Sequence, residues 1–267
     1  MDVSVIVIGD ELLIGQVVDT NSGWIARNLN PHGWNVKSVR GVSDDSSDIL
    51  YAIEQAFNQT DVVLTTGGLG PTKDDITKAT LCRYFGGKMV LDQSTLDNVK
   101  DVISKRHLSM NTLNEAQAIV PTSCRVIQNK VGTAPIMWFE KDGKVLVAMP
   151  GVPFETETMM KAEVIPQLIS HFSTNDVIEH RTFVVVGYAE SALAIKLEDF
   201  ENELPSYIKL AYLPKPGIIR LRLSGVCQDE LQIKADMNTL SFKLRSILGD
   251  SIISYEDKPV QVILGDL

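Results

Sequence analysis

Short apolar runs alternate with amphipathic stretches over the first half of the chain, and most runs stop at glycine or a polar turn. Val3 to Ile8 is an almost continuous apolar run ending at Gly9, the pattern of a strand buried on both faces of a sheet. Ile25 and Leu29 recur at helical spacing before Asn30-Pro31-His32-Gly33 ends the helix. Val36 to Val39 reads as a second strand. Ser46 to Phe57 is predicted as a helix with Ile49, Ile53, Ala56 and Phe57 on one side and Ser46 to Asp48 as cap candidates. A third strand, Val62 to Leu64, leads through a glycine-rich turn into a helix over Ile76 to Tyr84, closed by Gly86-Gly87. Repeated strand–helix alternation predicts an α/β domain with a mostly parallel sheet covered on both faces.

Leu91 to Ala118 is helical in pattern, with Leu96, Val99, Val102 and Ile103 as its apolar stripe. A short strand at Arg125 to Gln128 precedes a hairpin, Ile136 to Phe139 and Val145 to Met149, turning near Asp142-Gly143. Phe154 to Phe172 reads as one helix. The order then changes to strand (Thr182–Val186), helix (Ser191–Phe200), two strands (Ile208–Leu213, Ile218–Leu223), helix (Leu231–Leu248) and strand (Ser251–Ser254). That β-α-β-β-α-β series predicts a small α+β sandwich, ferredoxin-like or KH-like. The expected boundaries are a first domain over 1–174, the small domain over 175–257, and the start of a linker or of a missing carboxy-terminal domain over 258–267.

Charge narrows the partners. The formal net charge is −9, unfavourable for phosphate-backbone contacts. From Asn175 onward ten Lys/Arg face fourteen Asp/Glu, with no GxxG loop to clamp RNA. The small domain is therefore expected to serve structure or dimerisation, the whole as a homodimer without nucleic acid. Cys82, Cys124 and Cys227 are widely spaced and form no CxxC, and the four histidines lack metal-ligand spacing. Neither a signal peptide nor a membrane-spanning run is expected, so a cytoplasmic location without membrane partners is the default.

The chemistry concentrates at Thr65 to Asp75, TTGGLGPTKDD. Gly67, Gly68 and Gly70 remove the Cβ atoms that would hold a ligand away from the main chain. A strand–loop–helix context allows their amides, with the Thr72 hydroxyl, to cradle phosphate. Asp74 and Asp75 would repel that phosphate unless a cation lies between, which points to a metal-assisted site. Asp10 or Glu11 (after the first strand) or Asp19 (before the first helix) could supply a further carboxylate. Simpler roles stand beside these: Thr72 to Asp75 fits a capping box, and Asp19 a helix cap.

Taken together, GDELLIG (9–15), DTNS (19–22), the glycine loop, NKVGTAP (129–135) and PGVPFE (150–155) resemble the amino-terminal part of the CinA family. The resemblance implies a three-layer α/β/α, molybdopterin-binding-like domain followed by the family's small middle domain. It also implies hydrolysis of ADP-ribose, a small-molecule nucleotide, to AMP and ribose 5-phosphate with Mg, Mn or Co. A separate domain that deamidates nicotinamide mononucleotide is expected to lie outside this chain. On this reading Asp74, Asp75 and Glu11 are catalytic, and Asp74, Asp75 and Asp19 bind metal. The expected substrate-binding positions are Gly9, Asp10, Thr20, Asn21, Thr66, Gly67, Gly68, Gly70, Pro71, Thr72, Asn129, Gly132, Thr133, Pro150, Gly151 and Glu155. Two alternatives compete: a molybdopterin- or nucleotide-binding or transfer module, and a non-catalytic dimerisation scaffold.

Overall fold

The apolar run at the start of the chain becomes an interior strand of a six-stranded sheet because helices cover both its faces. A computed structural model describes residues 1–72, 75–172 and 177–255, and the chain divides into two units at Ser173/Thr174. The expected linker at 258–267 lies outside the described residues.

In the first unit β1 (Asp2–Ile8) is followed by the one-turn α1 (Asp10–Leu13), α2 (Asn21–Leu29), β2 (Asn35–Val42), α3 (Ser46–Phe57), β3 (Val62–Thr66) and α4 (Thr77–Phe85). Next come β4 (Met89–Leu91), α5 (Gln93–Lys105), α6 (Thr112–Ala116), β5 (Ile119–Pro121), β6 (Cys124–Ile127), β7 (Ile136–Lys141), β8 (Lys144–Met149), α7 (Pro153–Met159) and α8 (Ile165–His171). The sheet order is β2-β1-β3-β8-β7-β6. β2, β1, β3 and β8 run parallel, and the β6–β7 and β7–β8 pairs are antiparallel.

Strand periodicity divides the apolar residues between two cores. Val3, Val5 and Val7 pack with Trp24, Ile25, Leu29, Trp138 and Leu168 on one side. Ile6 and Ile8 pack with Ile49, Ile53, Phe57 and Leu81 on the other. Full burial of each such aliphatic side chain is worth roughly 1.5–3 kcal/mol, and the double coverage makes this a three-layer α/β/α domain. The one polar residue inside β1, the buried Ser4, accepts hydrogen bonds from Thr60 Oγ1 (3.0 Å) and Ser38 Oγ (2.9 Å).

Three local predictions are corrected. The helical pattern of 91–118 is two helices: His107 takes a left-handed φ of 55°, and Asn111 opens α6 with a reciprocal capping box to Asn114. The flanking β4 and β5 pair as an antiparallel ribbon. The expected single helix over 154–172 is interrupted by a π-helical segment, Met160–Val164, placed just before Pro166. Proline has no N–H to donate backwards, and the wider turn carries the chain past it with Met160 and Val164 still buried. Finally, α3 is capped by Asp45, which accepts from the N–H groups of Ser47 (2.7 Å) and Asp48 (3.2 Å), one residue before the expected cap candidates.

The second unit comprises β9 (Val177–Val185), α9 (Glu190–Asn202), β10 (Ile208–Lys215), β11 (Ile218–Cys227), α10 (Glu230–Leu248) and β12 (Ile252–Ser254). Its antiparallel sheet has the order β10-β11-β9-β12, that of a split β-α-β sandwich. Phe183, Leu221 and Leu223 on one sheet face pack against Leu193, Leu197, Met237 and Leu244 of the two helices. Among the described residues no helix is long and apolar enough to cross a membrane.

Replacing Asp45 by Ala removes the acceptor for two helix-start amides. It should cost about 1 kcal/mol, read as a lowered urea midpoint at unchanged m-value.

Candidate functional site

Because β1, β3 and β8 are parallel, their carboxyl ends open at one edge of the sheet, where α/β folds of this kind hold ligands. The segments leaving them interlock there. Gly67 N–H donates to Met149 O (3.1 Å), and Gly9 N–H to Val42 O (3.1 Å). Asn21 Nδ2 donates to Gly151 O (2.8 Å). They enclose a cleft of about 500 Å³ walled by Gly9, Glu11, Gly67 to Pro71, Asp75, Thr133, Pro150, Gly151 and Glu155.

The glycine loop works by close approach. A Cβ at Gly67 (φ 103°) would fall on the carbonyl oxygen of Ile8, and one at Gly68 (φ 63°) on Thr77 Oγ1. Asp75 then folds back over the loop and accepts from Gly70 N–H (2.7 Å), Thr72 N–H (2.8 Å) and the Thr72 hydroxyl. This is only half of a capping box: Thr72 gives its hydroxyl proton to Asp75, and Ile76, at the N-cap of α4, makes no side-chain bond to it. With Gly67 and Gly70 engaged, the N–H groups of Gly68 and Leu69 have no protein acceptor among the described residues.

The other carboxylates sort by partner. Asp10 Oδ1 accepts from Asp44 N–H (3.3 Å), while Asp10 N–H donates to Asp44 Oδ2 (3.1 Å). Burial, then the charges of Asp10, Glu11 and Asp75, raise the Asp44 pKa against the lowering effect of that backbone bond. Asp19, one residue ahead of the N-cap Thr20, accepts from Ser22 N–H (3.1 Å) and the Ser22 hydroxyl in the first turn of α2. It borders a smaller pocket with Thr20, Asn21 and Thr66, in which Asn21 Oδ1 and Thr66 Oγ1 are buried without a partner among the described residues.

Glu155 is raised in pKa by burial, opposed by Asn129 and by Arg106. Asn129 Nδ2 donates to Glu155 Oε2 (2.9 Å) and to Ala134 O (3.0 Å), and the Arg106 guanidinium stands 3.9 Å from Glu155 Oε1. A Cβ at Gly132 would collide with the Glu155 carboxylate. Asn129 and Gly132 thus seat Glu155 rather than line the cleft themselves. Asp74 lies outside the described residues.

Two neighbours of the cleft escaped the sequence reading besides Asp44. Gln117, just past α6, borders it. Behind Gln117 the buried Lys78 is pushed down to about 8, chiefly by desolvation and against the charge of Asp75. Its ammonium donates to Gln117 O (3.0 Å), Gln117 Oε1 (3.3 Å) and Ile119 O (3.4 Å). Sequence offered only a lysine three residues after Asp75 on the buried side of a helix.

Among the described residues no group of three His, Cys, Asp or Glu side chains is placed to hold a metal ion. Asp75 is occupied with the loop and Asp19 with α2.

A family model described as "Probable molybdopterin binding domain" matches residues 4–170, and one described as "Damage-inducible protein CinA KH domain" matches 180–254. The chain is 43% identical to a CinA-like protein of Flavobacterium psychrophilum, over all of this chain and 64% of that protein. It is 41% identical to one of Cytophaga hutchinsonii, over 98% of this chain and 63% of that protein. It therefore spans under two thirds of the length of these curated relatives. A crystal structure of the protein CinA, of unknown function, from Thermoplasma acidophilum superposes with a TM-score of 0.56 at 35% identity, covering 62% of this chain and 96% of that one. The matched model concerns molybdopterin binding rather than hydrolysis. The expected metal-dependent hydrolysis of ADP-ribose is accordingly corrected in favour of a ligand-binding module.

The loop's dependence on Asp75 is measurable. Asp75→Ala strips the acceptor from two amides and a hydroxyl, and should lower stability by about 1–2 kcal/mol in urea denaturation. An unchanged midpoint would show that the carboxylate does not hold the loop.

Proposed function

This chain belongs to the CinA family, and from that premise we propose that its first unit is a binding module for a phosphorylated pterin or a nucleotide, seated in the glycine-loop cleft. The observation that carries the reading is the pair of unengaged amides at Gly68 and Leu69, which border a cleft at the carboxyl ends of parallel strands. Backbone N–H groups without Cβ obstruction form a concave anion site, and the start of α4 beyond the loop adds the favourable end of a helix dipole.

The acidic surroundings set the conditions for binding. Glu11, Asp44, Asp75 and Glu155 border the same cleft, so an incoming phosphate meets repulsion as well as amides. Asp44 and Glu155 both have raised pKa values. They therefore take up protons at higher pH than they would when fully solvated, and the repulsion from these two weakens as pH falls. The stability they contribute has the same sign: it is full at low pH and lost as pH rises through their folded pKa values.

Titration calorimetry with inorganic pyrophosphate tests the reading: saturable binding is expected in the full chain and its loss in Gly68→Val. Absence of binding by the unaltered chain would remove the proposal. With cyclic GMP, a phosphodiester of constant charge, affinity should rise as pH falls from neutrality toward the carboxylate range. Glu155→Gln should already bind about tenfold more tightly at pH 7.5, the scale of one unit-charge repulsion at ~10 Å in an effective dielectric of ~20.

A further inference from the structure

Among the described residues β4 pairs with β5 alone, which leaves its outer edge open. Met89, Val90 and Leu91 are 39%, 40% and 56% exposed. Successive side chains of a strand point to opposite faces, so β4 shows apolar surface on both. An exposed apolar edge is a template for another strand. The hydrogen bonds tell which main-chain groups it presents. Asp92 N–H donates to Ala118 O (2.9 Å), and Lys88 O accepts from Thr122 N–H (2.9 Å), so the main chain at 88 and 92 faces β5. By alternation the N–H and C=O groups of Met89 and Leu91 face outward.

We propose that this edge binds the same edge of a second copy of the chain, the two β4 strands running antiparallel about a two-fold axis at Val90. The order of side chains selects the occupant, because Lys88-Met89-Val90-Leu91-Asp92 is complementary to its own reverse. In this register Val90 meets Val90 of the second copy, Met89 meets Leu91, and Lys88 meets Asp92. Met89 and Leu91 exchange main-chain hydrogen bonds, and the Val90 pair at the axis is of the closer, non-hydrogen-bonded kind. Opposite charges facing across two strands are favourable and like charges costly. Lys88 is exposed, and the bonds that Asp92 makes as cap of α5 all use Oδ1, leaving Oδ2 for a lysine. A uniformly acidic or basic strand would satisfy one end of the edge and repel the other. A second copy satisfies both, and it adds Met89 of one chain to the apolar face where Leu91 of the other already lies beside Ile119. The contact is independent of what the cleft binds.

Sedimentation equilibrium of the full chain at micromolar concentration should show a monomer–dimer equilibrium. Lys88→Glu sets acid against acid at both ends of the contact, and Asp92→Lys sets base against base. Each alone should raise the dimer dissociation constant at least about tenfold, and mixing the two should restore association as a heterodimer. Met89→Pro removes an outward N–H while sparing the bonds to β5, and should leave a folded monomer by circular dichroism. Under mild oxidation Val90→Cys should cross-link two chains, since facing Cα atoms of such a pair lie about 4.5 Å apart. Met89→Cys should not, because its counterpart lies diagonally beyond the ~7 Å reach of a disulfide. The two cysteine variants decide the register even if Asp92→Lys, which also removes the cap of α5, does not fold. A monomeric full chain, a dimer that survives Met89→Pro, or cross-linking in Met89→Cys rather than Val90→Cys would each overturn the inference.

Discussion

Two backbone amides and a hydroxyl converge on the Asp75 carboxylate, and the loop between β3 and α4 has its shape because they do. Without that anchor, a segment with glycines at 67, 68 and 70 would have a broad choice of backbone conformations. With it, the loop is fixed where Gly68 and Leu69, whose amides have no protein acceptor among the described residues, border the cleft. The close approaches at Ile8 and Thr77 then fix the loop's depth against β1 and α4. An acid beside the cleft thus serves as part of the scaffold, and its negative charge is partly offset by the donors it collects.

Adjacent carboxylates suggested a metal, and among the described residues Asp10, Asp19 and Asp75 each meet other partners. A run such as Asp10-Glu11 or Asp74-Asp75 says which groups are near in sequence, not which donors each one meets in space. Asp19 meets the start of α2, Asp10 meets the backbone of Asp44, and Asp75 meets its own loop. What remains is a cleft bordered by acids, among them two half-buried carboxyls with raised pKa values, Asp44 and Glu155.

Much of the fold could be read from the chain because its signals are local. The apolar runs of β1, β3 and β8, the hairpin turn at Asp142-Gly143 and the helix of 46–57 need no knowledge of distant residues. The glycine loop was legible for the same reason. Asp44 was not, since it reaches the cleft only through the parallel pairing of β1 with β2, which sets Ile8 beside Val42. Gln117 was hidden more deeply: it lies 39 positions from Lys78, in a stretch whose periodicity suggested one long helix. The cap of α3 was missed by a single residue, because Asp45 and Ser46 are both competent side chains and only the backbone angles distinguish them.

Burial of Lys78 has a consequence on the alkaline side of the protein's behaviour. Its amine, near 8 in the folded chain against an ordinary 10.5, sheds its proton in the native state over a range where the unfolded chain still carries it. The unfolded state binds more protons there, so this group makes the chain more resistant to unfolding as alkalinity increases from pH 8 toward 10.5. Refolding in mildly basic buffer should accordingly release protons to the solvent, a signature that pH-indicator dyes can follow without any ligand present.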